Sequence, residues 1–139
     1  MIHVDQGMDV VFGVDYLDRD DYPILPVFGL SLHNLEIPGL RIDLIFPRPR
    51  IEYALSPDSR AYLSGSLGGG TWAVEFSDQQ DHVMTYGDYR LMLGFESVAS
   101  DDTLGALEFG YVFHRRLEFR DIPQQSFDDA FLLQWVMRR

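Results

Sequence analysis

Between Thr103 and Arg120 the side chains change character at nearly every step. Leu107, Phe109, Tyr111, Phe113, Leu117 and Phe119 share one parity, while Glu108, Gly110, His114, Arg116, Glu118 and Arg120 share the other. An extended strand puts alternate residues on opposite faces, so the first set must meet hydrocarbon or a protein core and the second must meet water or a polar lumen. Just upstream, Tyr89, Leu91, Leu93 and Phe95 alternate with Arg90, Met92, Gly94 and Glu96, and Ser100-Asp101-Asp102 supplies a reversal. Together the two segments predict an antiparallel hairpin.

The same period recurs along the chain. Leu40, Ile42, Leu44 and Phe46 alternate with Arg41 and Asp43; Pro47-Arg48-Pro49 forces a turn or strong bulge; Ile51, Tyr53 and Leu55 resume the ladder. Ser56-Pro57-Asp58-Ser59 has turn chemistry, and a short strand is expected from Arg60 to Leu67. Gly68-Gly69-Gly70 marks a kink before another alternation from Thr71 to Phe76, and Ser77 to Tyr86 reads as a polar loop. Strands are also expected over Val10 to Leu17 and Ile24 to His33, flanking the acidic turn Asp18-Arg19-Asp20-Asp21, and from Phe131 to Met137. The pattern predicts an all-β fold: one domain over residues 1–139, an antiparallel up-and-down β-barrel of about eight to ten strands, complete or partial.

Composition narrows the function classes. The 139 residues carry 22 acidic and 11 basic side chains, a net charge of -11, and every basic residue is an arginine with none clustered into a patch. Such a chain would repel a phosphate backbone, so no nucleic acid is expected. With 46% hydrophobic and 14% aromatic residues it is too apolar for a disordered acidic tail. Cysteine is absent, which removes thiol nucleophiles and Cys-ligated zinc. The longest nearly apolar stretch, Ile24 to Leu30, falls far short of the ~20 residues of a membrane helix. The opening Met1-Ile2-His3-Val4-Asp5-Gln6-Gly7 has no export signal, so the chain reads as cytoplasmic, mature or truncated.

Alternation alone leaves two environments open. In a membrane barrel, Tyr89, Leu91, Leu93, Phe95, Leu107, Phe109, Tyr111 and Phe113 face lipid, and Arg115, also of outward parity, marks the membrane edge. In a soluble β-sandwich or small barrel the same residues form the core. There, Trp72 and Tyr86 in the glycine-rich and polar loop region are the candidates for binding a ligand. Leu132 and Val136, on the polar parity of the last strand, favour the soluble form, although a narrow packed lumen accepts them.

Four segments share a further likeness: Leu40 to Tyr53, Gly68 to Trp72, Asp88 to Leu91, and Glu108 to Phe119. Together they resemble a bacterial family of unknown function whose members are predicted outer-membrane β-barrels. The likeness runs from about Tyr22 onward and is most specific in Leu44 to Tyr53, through Leu44-Ile45-Phe46-Pro47, Pro49-Arg50-Ile51 and Tyr53, and in Gly110 to Arg120. It implies the C-terminal part of a longer barrel, a location in the outer membrane and lipid as the partner; it brings no catalytic residues. The chain departs from that pattern in lacking the family's export signal and upstream strands, and in ending on Trp135-Val136-Met137-Arg138-Arg139 instead of an aromatic residue.

Candidate chemistry is sparse. His3, His33, His82 and His114 are far apart and lack metal-ligand spacing. Asp15, Asp18, Asp20 and Asp21 lack the order of a calcium loop, Gly68-Gly69-Gly70 lacks the Lys-Ser/Thr of a phosphate loop, and no serine elbow occurs. Glu108 and Glu118 are ten residues apart on one strand, ~33 Å and too far for paired-carboxylate hydrolysis. No enzyme activity, metal or cofactor is expected. The remaining constellation is the polar parity of the last hairpin: Arg90, Glu96, Glu108, His114, Arg116, Glu118 and Arg120. Facing a lumen, opposite charges would pair into a plug or line a constriction passing small solutes. The plug is favoured, because side chains fill the interior of a barrel of about eight strands.

Overall fold

The computed structural model describes residues 2–5, 7–16, 23–75, 81–99, 103–119 and 122–138. Every regular element among them is a β-strand: β1 (Ile2–Asp5), β2 (Met8–Tyr16), β3 (Ile24–Leu32), β4 (Leu40–Phe46), β5 (Arg50–Ser56), β6 (Ser59–Glu75), β7 (Asp81–Val98), β8 (Leu104–Phe119), β9 (Ile122–Phe127) and β10 (Ala130–Arg138). They form one antiparallel sheet in the order β1-β2-β3-β4-β5-β6-β7-β8-β10, with β9 pairing β8. β9 and β10 lie end to end along the same edge of β8 and run in the same direction, interrupted at Asp128-Asp129. Nine strands therefore follow one another in up-and-down order.

The expected closure is not formed. Among the described residues no pairing joins β1 to β10, and the sheet ends on the nine-residue edge of β10. A sandwich is not formed either, since all described strands belong to a single sheet. The molecule exposes 9845 Å², against ~7,400 Å² for a compact water-soluble monomer of its mass. A single sheet with no second layer exposes more area than a compact two-layer domain.

Local chemistry explains the turns. Ser56 Oγ accepts the Asp58 N–H, a serine turn that reverses β5 into β6, and the Asp58 carbonyl accepts the Val98 N–H from β7. At Pro47, which follows a cis peptide bond, the ladder stops; the Arg48 N–H closes back on the Ile45 carbonyl.

Two expectations need correction, and β9 is a strand the sequence did not announce. The two short segments around Gly68–Gly70 are one strand, β6, of 17 residues. Gly69 takes a φ of +120°, which an L side chain rarely adopts, and so lets β6 twist while staying paired with β7. Asp81 to Tyr86 is strand, not loop, because β6 beyond Gly70 supplies its ladder partners. β9 has no alternation to betray it; pairing with the far end of β8 defines it. The acidic turn 18–21, the reversal at 100–102 and positions 76–80 lie outside the described residues.

The two faces differ in character. Phe12, Val14, Phe28, Leu44, Leu63, Leu91, Leu93, Phe109, Leu133 and Trp135 are all exposed on one face. Rings meet across strands there: Phe28 with Phe46 at 5.4 Å, Tyr89 with Phe113 at 5.8 Å and Phe109 with Phe131 at 5.6 Å. The opposite, concave face buries Asp9, Ser31, Tyr62, Asp88 and Met92.

Candidate functional site

On the concave face two groups of polar contacts lie between β3 and β10. The Ser31 hydroxyl and Arg41 Nε both meet the Asp43 carboxylate, Arg41 at 3.0 Å. Arg50 donates to Glu52 and, across β6, to Glu96 on β7, each at 3.0 Å, while Arg60 meets Glu96 at 3.1 Å. The Arg50 guanidinium also lies 3.7 Å above the Tyr62 ring. Tyr62 then reaches over β7 and donates to Glu108 Oε1 on β8, and Gln134 of β10 donates to Glu108 Oε2. No buried side-chain nitrogen or oxygen lacks a partner among the described residues. Charges held in a partly enclosed concavity need such pairing.

Contacts that skip a strand require the intervening strand to be low. A Cβ on Gly94 would collide with the ring end of Tyr62, its cross-strand partner, so glycine opens the path from Tyr62 to Glu108. Gly110 likewise receives the thioether of Met92, and Gly68 receives Asp88 and Arg90. Gly94→Ala is expected to lower stability by about 1–2 kcal/mol through overpacking. Gly13→Ala, where nothing lies within 4 Å of the added methyl, is expected to change it by less than ~0.5 kcal/mol. Urea titrations of the two variants check this contrast.

Arg41, Asp43, Arg50, Glu52, Arg60, Tyr62, Glu96, Glu108 and Gln134 line a cleft of about 610 Å³, together with Leu104, Ala106 and Val136. Of the polar residues singled out from the sequence, Glu96 and Glu108 come together here. Arg90 sits farther along β7, its Nε 2.7 Å from Asp88 Oδ1. His114, Arg116 and Glu118 do not join them. At the β7–β8 bulge two residues, His114 and Arg115, stand opposite Asp88, and His114 takes a φ of +53°. The extra residue shifts the parity. His114 is exposed with its ring 5.4 Å from Tyr89, while Arg115, expected on the outward parity, donates from Nε to the Tyr86 hydroxyl at 3.0 Å. Arg120 lies outside the described residues.

Sequence parity named only the last hairpin and passed over Arg41, Asp43, Arg50, Glu52, Arg60 and Tyr62. The signal existed: each alternates with the apolar residues of its own strand. What was missing was register, since Pro47-Arg48-Pro49 shifts the inward parity from odd in β4 to even in β5. The apolar set, Tyr89, Leu91, Leu93, Phe95, Leu107, Phe109, Tyr111 and Phe113, is exposed on the opposite face, with Leu93 against Phe109 and Phe95 against Leu107.

No protein-family model, no curated protein and no solved structure matches the chain. No described helix is long and apolar enough to cross a membrane, which leaves crossing by strands open.

Proposed function

We propose that this chain forms wall of an outer-membrane β-barrel, with its apolar face against lipid and its ion-paired face toward the lumen. Its role is structural, with passage limited to small solutes. One observation carries the proposal: large apolar side chains are uncovered on one face of every strand from β2 to β8 and on β10, while the opposite face holds paired charges. Water-soluble monomers rarely expose contiguous apolar patches beyond a few hundred Å². Strand lengths support the reading: β6, β7 and β8 exceed the ~9–11 residues of a spanning strand, and β2, β3 and β10 reach nine. β4 and β5, at seven residues, are shorter. The Arg50–Glu96 bridge and the Tyr62–Glu108 contact cross the concavity, which favours a packed lumen over a wide pore.

The test is expression with and without an added export signal. The membrane reading expects aggregation in buffer, and in detergent a β-rich species that unfolds only on heating. A monomer that is soluble without detergent and unfolds cooperatively would overturn it.

A further inference from the structure

The cleft carries three arginines and four carboxylates. Its arginines are committed: Arg41 to Asp43, Arg50 to Glu52 and Glu96, and Arg60 to Glu96. Glu108 is the carboxylate left over. Its partners among the described residues are two neutral donors, the Tyr62 hydroxyl on one oxygen and the Gln134 amide on the other. We propose that Glu108 is the anchor of a binding site for a small organic ammonium ion. The inference deepens the proposed function by naming the solute class.

Three features select that class. A carboxylate accepts about four hydrogen bonds, so each Glu108 oxygen keeps one acceptor site for a cationic donor. An ammonium group, a compact charge with three donors, can use either of these sites. A divalent ion would need several more oxygen ligands than one half-occupied carboxylate offers. Beside Glu108 the wall turns apolar: Ala106 and Val136 are cross-strand partners on β8 and β10, next to the Glu108–Gln134 pair, and Leu104 follows. A short hydrocarbon stem on the ammonium would lie on that wall, and the 610 Å³ volume holds such a solute with water.

Butylammonium chloride is the probe, titrated by calorimetry into the folded 139-residue chain in zwitterionic detergent, with sodium chloride and sodium butyrate as controls. Saturable butylammonium binding is expected, weakened about 10- to 100-fold in Glu108→Gln, because a charge-assisted hydrogen bond becomes a neutral one. Circular dichroism verifies that the variant is folded. Gln134→Leu removes a competing donor and is expected to tighten binding several-fold. Equal affinity in folded Glu108→Gln, equal displacement by sodium, binding of butyrate, or weaker binding in folded Gln134→Leu would each overturn the site. A chain that folds without detergent would instead overturn the membrane reading, and the same titration in buffer would still decide the site.

Discussion

Replacing Leu93 by arginine is expected to lower the folded-to-unfolded ratio in lipid vesicles about 30- to 700-fold. Leu93 lies midway along the apolar face of β7, flanked across the ladder by Leu63 and Phe109, and is 58% exposed. At the bilayer midplane an arginine on a barrel's outer face costs ~2–4 kcal/mol, and each 1.4 kcal/mol is tenfold. In water, a substitution at so exposed a position would change stability by less than ~0.5 kcal/mol. Depth gives an internal control. Leu55 is similarly exposed, at 55%, but adjoins the Ser56–Ser59 turn. Leu55→Arg should cost only ~0–1 kcal/mol at the interface. Urea titrations in vesicles measure both, and equal small effects at the two positions would contradict lipid contact.

Removing Arg50 should be the most damaging single change on the concave face. Arg50 joins Glu52 and Glu96 and covers Tyr62, so Arg50→Ala leaves both carboxylates with Arg60 alone, 3.1 Å from Glu96 and 3.9 Å from Glu52. Breaking a fully buried pair costs ~3–5 kcal/mol. With 31% of its side chain exposed, Arg50 retains part of its solvation, and a loss of about 2–3 kcal/mol is expected. Adding Glu96→Gln should recover part of it, since the orphaned charge is then gone. Strict additivity in this double-mutant cycle would mean that the Arg50–Glu96 bridge contributes nothing.

Period-two alternation made most of the strands legible, though not β1, β9 or the start of β7, because a face that must be apolar writes itself into every second residue. It could not show whether β1 meets β10, since closure depends on edge geometry and leaves no residue pattern. Nor did it reveal the continuity of β6 through Gly68–Gly70, where a glycine run reads the same whether it breaks a strand or twists it. Glu96 and Glu108 were legible as inward charges. Their surroundings were not: Arg50 reaches Glu96 across β6, and Tyr62 reaches Glu108 across β7, contacts set by sheet curvature and by the absence of a side chain at Gly94. Parity failed at His114 for the same kind of reason, since one added residue in a bulge reverses every assignment beyond it.

The chain has no cysteine, so single cysteines can be placed from position 89 to position 96, Gly94 excepted, and labelled with an environment-sensitive fluorophore without background. The decisive measurement is quenching of that fluorophore by brominated lipid in vesicles containing the folded protein. Strong quenching at 89, 91, 93 and 95 with weak quenching at 90, 92 and 96 is the result that lipid contact by the apolar face requires. Quenching without a period of two, or none at any of the seven positions in a folded protein, would contradict it.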